Sequence, residues 1–387
     1  DALQARAVAQ QQGNAPRQQP QVRVLVDEGD TMRAAIETAI LHRANPAAAQ
    51  MTDAARQWRG MSLLEMGRTF MEESQGANLR GLSKMELAGA VLGMRGGMMS
   101  SSDFANLLAN IASKRLRDSY AAHVQTWKPF CRPTTLPDFK ERAVVALTGL
   151  PEFKRVREGQ EYSYASFGDT AEKYSLATYG RVIPITRQAL INDDLGAFDR
   201  LPSFLGTAAA KLEGDIVWGI ILNNPNMSDG VPVFHADHGN LAGAGAAPSE
   251  ATLEAMDIAM GAQLDAGKQP LNLRTKYLAV SRKHKVAAQK LLFGISATKS
   301  SDVNVYQNSM DLIVEDRLYN ASGASKWLTI GDPSQWDTIE YAYLEGENGL
   351  YTEQRIGFEV DGLAIKGRLD SAAKAIDYKA FQLNPGN

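Results

Sequence analysis

The one cluster in this 387-residue sequence whose residue types and spacing suit catalysis is Phe234-His235-Ala236-Asp237-His238. Two imidazoles and a carboxylate can bind zinc, and an open coordination position on such a metal activates water. That chemistry defines one reading of the chain, a metal-dependent hydrolase centred on His235, Asp237 and His238. Further ligands are not evident nearby, because His42, His123 and His284 stand alone in unrelated contexts. The preferred reading is a loop in which Asp237 hydrogen-bonds a histidine or the backbone, helped by Gly239-Asn240.

Other routes to chemistry are weaker. Cys131 is the only cysteine, which rules out an internal disulfide and a cysteine-based zinc site. It sits among prolines without a histidine partner, and a single cysteine suits a reducing cytoplasm. No Gly-x-Ser-x-Gly elbow and no Gly-x-x-x-x-Gly-Lys-Ser/Thr phosphate loop occurs. Residues 94–99, MRGGMM, read as a hinge. The formal charge of −3 is spread along the chain, so no strongly basic nucleic-acid-binding body is visible. No apolar run approaches the roughly eighteen residues that would span a bilayer. We therefore assign no catalytic residue, no metal ligand and no cofactor from the sequence.

The elements that would position any site are clearer. Residues 153–185 read as two extended arms: Tyr162, Tyr164 and Ser166 alternate with smaller or polar residues, as do Tyr174, Leu176 and Thr178. Gly168-Asp169 supplies the expected turn, and period-two alternation around such a step predicts a β-hairpin. Arms of about fifteen residues would project roughly 50 Å, too far for a connection inside one domain. Such a finger is expected to lie on a neighbouring subunit. Directly after it, Phe198, Leu201, Leu205, Ala208, Leu212 and Ile216 recur at helical steps, and Asn223-Asn224-Pro225 stops the helix. Pro202 either opens this helix or kinks an earlier start.

A long hairpin feeding a long helix resembles the extended loop and spine helix of Hong Kong 97-type phage capsid proteins. The runs YSLATYGRVIPITRQALINDDLGAFDRLP and LEGDIVWGIILNNPNMSDGVPVFHADHGNLAG are similar to the Mu-like major head subunit family, most of all to members fused behind a prohead protease. Upstream, RGLSKMELAG and SDFANLLANIASKRLRDSYAAHVQTWKPFCRPTTLPDFKE extend the resemblance, which runs from about residue 60 to the C-terminus. It implies an α+β fold with N-terminal arm, extended loop, spine helix, and peripheral and axial domains. The implied divisions are 1–136, arm and helical segment; 137–152, start of the peripheral domain; 153–185, extended loop; 186–248, spine helix and peripheral domain; 249–345, axial domain; and 346–387, returning strands.

The implied function is structural and non-enzymatic: hexamers and pentamers in an icosahedral shell around double-stranded DNA, bound without sequence specificity. Implied partners are a prohead protease or scaffold, a portal and decoration proteins, with no membrane; the shell is a virion component assembled in the bacterial cytoplasm. Candidate subunit contacts are Arg157, Glu161, Tyr162, Tyr164, Phe167, Asp169, Lys173 and Tyr174. Lys154 and Lys173 invite comparison with capsids that cross-link through Lys–Asn bonds, although exposed charges usually form weak rim pairs. Asp1 is expected to be a processing site.

Elsewhere, residues 1–30 are rich in Gln, Ala and Pro, a composition expected to stay flexible. Helices are predicted over 31–42 and within 47–73, and Ser83 with Glu86 has capping-box spacing. The next helix carries Phe104, Leu107, Leu108 and Ile111 on one face, with Lys114, Arg115 and Arg117 as its solvated side. Residues 128–137, with three prolines, read as an extended linker, followed by a strand over 141–147. Ser249 caps a helix that points Leu253, Met256, Met260 and Leu264 inward. Strands are then expected over 277–280, 311–318, 327–330, 339–344, 363–369 and 375–383, with a helix begun by Ser281.

Overall fold

Helix starts follow the capping chemistry. The computed structural model describes residues 28–44, 46, 49–92, 103–147, 169–193, 195–265, 267–293, 306–319, 325–347, 349–357 and 362–387. These fall into two compact units divided between Leu107 and Leu108. The first contains α1 (Glu28–Ala44), α2 (Asp53–Arg56), α3 (Leu63–Gln75), α4 (Lys84–Val91) and the opening residues of α5 (Asp103–Ala122). Ser83 and Glu86 form the expected capping box on α4, and Ser62 and Glu65 form a second on α3. That second cap divides the expected helix over 47–73: Gly60, at φ 83°, turns the chain before α3 can begin. Met66, Phe70, Leu87 and Phe104 are buried in this unit.

The second unit holds α6 (Arg187–Ile191), α7 (Leu195–Asn223), α8 (Glu250–Gly261), α9 (Arg282–Phe293) and the strands. These are β1 (Cys131–Leu136), β2 (Arg142–Leu147), β3 (Asp169–Tyr174), β4 (Ala177–Thr186), β5 (Thr275–Val280), β6 (Asp311–Val314), β7 (Trp327–Gly331), β8 (Ile339–Leu344), β9 (Leu350–Gly357), β10 (Gly362–Ala375) and β11 (Phe381–Asn384). Among the described residues they make a five-stranded sheet ordered β1-β8-β10-β4 with β9 on β10, a four-stranded sheet ordered β11-β7-β5-β6, and the two-stranded β2-β3. The long β10 is the organiser, pairing with β4 along one edge and with β9 and then β8 along the other. Trp127, Phe130, Trp218, Phe234 and Phe381 fill the main core beneath α7. The mixed α+β class is as expected.

Several expectations change. Residues 128–137 are no linker: β1 pairs in parallel with β8 at the sheet's edge, where Pro133 is tolerated because an edge strand can lack a donor. The strand expected over 363–369 lengthens into β10, because pairing on both its edges overrides polar Lys366 and Arg368; the one expected over 375–383 shortens to β11, and β9 forms where no strand is expected. Leu264 is 43% exposed, since α8 stops at Gly261 before a further turn could face it inward. Arg115 is not solvated; its Nε donates to Asp199 at 2.5 Å.

The hairpin is displaced from its expected position, and the long helix keeps its expected place and stop but buries a different face. Asp169 is not in a turn but pairs with Leu147, and Arg142 pairs with Tyr174. The arms are therefore β2 and β3, while β4 belongs to the body sheet. Alternation shows that a segment is a strand without saying which strand it pairs with. Of the two expected placements of Pro202, α7 takes the earlier start, with Pro202 inside it. Its buried stripe is Gly206, Ala210, Glu213, Val217, Trp218 and Ile221, one step away from the large apolar series. Leu201 is 40% and Phe204 69% exposed. Small residues decide this face: a Cβ on Gly206 would lie 2.2 Å from the Leu116 carbonyl of α5. The side chain of Phe198 lies outside the described residues.

Candidate functional site

The histidine loop is built outward from the end of α7. Asn224 takes a left-handed φ of 49° and grips the backbone of Phe234 from both sides. The Phe234 N–H donates to its Oδ1 at 2.7 Å, and its Nδ2 donates to the Phe234 carbonyl at 2.9 Å. Asn240, fully buried, repeats the device: the His235 N–H donates to its Oδ1 at 3.0 Å, and its Nδ2 donates to the Val233 carbonyl at 2.8 Å. Both orphaned carbonyls and amides of the turn are thereby satisfied.

Within that frame the two histidines diverge. His235 is on the surface, and its Nδ1 accepts the Asp237 N–H at 3.2 Å. His238 is buried, with Nε2 at 2.9 Å from Asp229 Oδ2 and Nδ1 at 3.1 Å from the Val233 carbonyl. Its ring stacks on Tyr378 at 3.7 Å between centroids, and Gln263 Nε2 donates to its carbonyl at 2.9 Å. Burial pushes the Asp229 carboxyl up, but hydrogen bonds from the Val231 N–H and His238 outweigh it and hold it below the usual value. Among the described residues no three His, Cys, Asp or Glu side chains converge to hold a metal. The loop is a clamp. Asn224, Asp229, Asn240 and Tyr378 do its work, and of these only the Asn223-Asn224-Pro225 stop and the Gly239-Asn240 step left a signal in the sequence.

The base of the hairpin is braced just as firmly. Tyr174, Leu176 and Leu136 share a buried cluster with Ala342 and Ile376. The Tyr174 hydroxyl donates to Glu340 Oε1 at 2.5 Å, and Arg142 lies 3.8 Å from the same oxygen. Burial, then the Glu340 carboxylate, pushes the Tyr174 phenol well above its ordinary range. Glu172 accepts the Ser228 N–H at 2.7 Å and pairs with Lys374 at 3.2 Å. Tyr174, expected at a subunit contact, is thus corrected to an anchor within its own subunit; alternation groups residues by face without saying which face is inside. Lys173 is exposed, 3.9 Å from Glu141. Asp1, Lys154, Arg157, Glu161, Tyr162, Tyr164, Phe167 and the side chain of Asp169 lie outside the described residues.

Two further knots tie α7 to the sheets. Glu213 Oε1 accepts the hydroxyls of Tyr120 at 2.6 Å and Tyr343 at 2.7 Å, while Gln125 Nε2 donates to Oε2 at 3.1 Å. Burial raises the Glu213 carboxyl above its usual value. The cavity beside it, lined by Trp127, Ile216, Tyr341 and Ser371, measures ≈ 10 Å³. That is room for about one water and no substrate. Arg317 donates to Asp215 at 2.6 Å, to Glu315 at 3.0 Å and to the Lys211 carbonyl at 3.1 Å. Its guanidinium lies over Gly214, where a Cβ would come within 2.9 Å. Cys131 is buried, which pushes its thiol up and leaves it inert. These groups fix shape.

The sequence of residues 169–384, more than half of the chain, matches the model of a family described as phage capsid protein. No protein with a curated description matches. The chain is similar to a solved structure from Microbacterium phage Oxtober96, at 10% identity and TM-score 0.47 over 69% of this chain and 92% of that one. It is similar to the holo-SrpI encapsulin complex from Synechococcus elongatus PCC 7942, at 12% identity and TM-score 0.45 over 69% and 89% of the two chains. A third is the procapsid of bacteriophage JBD30, at 13% identity and TM-score 0.41 over 73% and 75%.

Proposed function

This chain belongs to the phage capsid protein family, and we propose that it is the major head subunit of a tailed phage or prophage. The subunit is of the Mu-like kind encoded with a prohead protease, it has the Hong Kong 97-type fold, and it is matured by proteolysis. Hexamers and pentamers close an icosahedral shell around double-stranded DNA in the bacterial cytoplasm. A protease or scaffold assists, and a portal and decoration proteins complete the head. The protein is a building block, not an enzyme.

The family match carries this reading: it begins at Asp169, the first residue of β3, and runs through α7 into β11. In the proposal α7 is the spine, residues 249–345 form the axial domain, and the segment joining β2 to β3 reaches a neighbour. Arg157, Glu161, Tyr162, Tyr164 and Phe167 of that segment, with Asp169 and Lys173 of β3, are the candidate contacts. A braced base supports a lever that bears load, and Tyr174 and Glu172 supply that brace. Many repeated contacts of modest strength then sum to a rigid shell. The hydrolase reading is not favoured, because His235 and His238 face different partners.

The test replaces residues 148–168 with Asn-Gly. The Leu147–Asp169 pair is positioned to be closed by a two-residue turn. The chain should fold and fail to form closed shells. Shells at normal yield would remove the finger from the assembly mechanism.

A further inference from the structure

The helices α8 and α9 cover the same face of the second sheet but opposite halves of it. Leu253 and Met256 of α8 share one core with Ala288 and Leu292 of α9, Leu278 and Val280 of β5, and Trp327. In the order β11-β7-β5-β6, α8 packs on β11 and β7, and α9 packs on β5 and β6. Their outer faces carry opposite charge. The sequence of α8, EATLEAMDIAMG, has three carboxylates and no cation. That of α9, RKHKVAAQKLLF, has four Lys or Arg and no carboxylate.

Each outer face also presents apolar surface. Ile258 on α8 is 64% exposed, beside Glu254; Val286 and Phe293 on α9 are 61% and 53% exposed, around Lys290. Internal partners absorb part of the charge: Asp257 accepts from Thr275, Arg282 pairs with Asp316, and Lys283 donates to the Asn387 carbonyl. Glu250, Glu254, Lys285 and Lys290 are exposed. Arg282, Lys283 and Lys285 also crowd the first turn of α9, against the positive end of the helix dipole.

We propose that the outer face of α8 docks on the outer face of α9 in a second copy of this chain, carboxylates against lysines around an Ile258–Val286–Phe293 contact. Two different patches meeting in this way make a head-to-tail contact, which repeats from copy to copy and closes a ring where the rotation permits. The inference rests on the capsid reading and supplies one of its interfaces. Opposite charges set register and speed of encounter, so the contact weakens as salt rises.

The experiment compares the wild-type chain with three variants by sedimentation at low salt. Lys285→Glu/Lys290→Glu and Glu250→Lys/Glu254→Lys should each cut the assembled fraction about tenfold, as like charges face each other. All four substitutions in one chain invert both faces and should restore assembly. Circular dichroism checks that each variant is folded. Independently, Ile258→Cys and Val286→Cys chains are mixed and oxidised. Covalent dimers above the level given by either chain alone support the contact, and their absence overturns it. Reversals without effect, or without rescue, overturn it too while wild-type particles leave the capsid reading standing. A wild-type chain that stays monomeric overturns both.

Discussion

The histidine loop and the outer faces of α8 and α9 use charged and polar side chains in opposite ways. In the loop, Asn224, Asn240 and His238 meet backbone or side-chain partners inside the subunit. On the two helices, Glu250, Glu254, Lys285 and Lys290 point to solvent next to uncovered Ile258, Val286 and Phe293. The loop looks chemical in the sequence and is architectural in the fold. The helices look ordinary in the sequence and carry opposite charge beside exposed Ile258, Val286 and Phe293. Reactive residue types that cluster in the sequence serve the fold here.

The sharpest way to break this comparison is Asn240→Ala. It strips the partner from the His235 amide and one of two from the Val233 carbonyl around a fully buried side chain, and should destabilise the subunit by about 3 kcal/mol in urea unfolding. His235→Ala, on the surface of the same loop, should change stability by less than about 0.5 kcal/mol. Similar losses from both would show that the loop is not organised from Asn240 outward.

Tyr174→Phe is next in size. It removes the hydroxyl from buried Glu340 and should cost about 2 kcal/mol, with faster hydrogen exchange in β2 and β3. A loss confined to assembly, with unchanged subunit stability, would return Tyr174 to a contact between subunits.

A smaller effect tests the Glu213 knot by pH. Its folded value is raised above 4.5, so the folded state holds this proton more tightly than the unfolded state. The stability this group contributes is full below that value and declines as pH rises through the window up to the folded value. Glu213→Gln, compared with wild type across that window, should abolish this decline while keeping the Tyr120 and Tyr343 partners. An identical pH slope in both proteins would mean Glu213 ionises alike folded and unfolded.

Much of the fold was legible because its signals are local. Ser83 with Glu86, Ser249 before α8, and the Phe104, Leu107, Leu108, Ile111 face need only the spacing of neighbours along one helix. What was not legible depends on distant partners. β1 is a strand only because β8 lies beside it, and β3 turns back on β2 because Leu147 pairs with Asp169. The buried stripe of α7 follows Gly206, whose missing Cβ leaves space for α5. The same holds for the clamp: nothing near His238 in the sequence announces Tyr378, which stacks on it.

The central claim is that this chain works as one of many copies in a shell. Electron microscopy and light scattering of the purified full chain across a concentration series test it most directly. Rings or closed shells of uniform size are the predicted result. A monodisperse monomer at every concentration would contradict it.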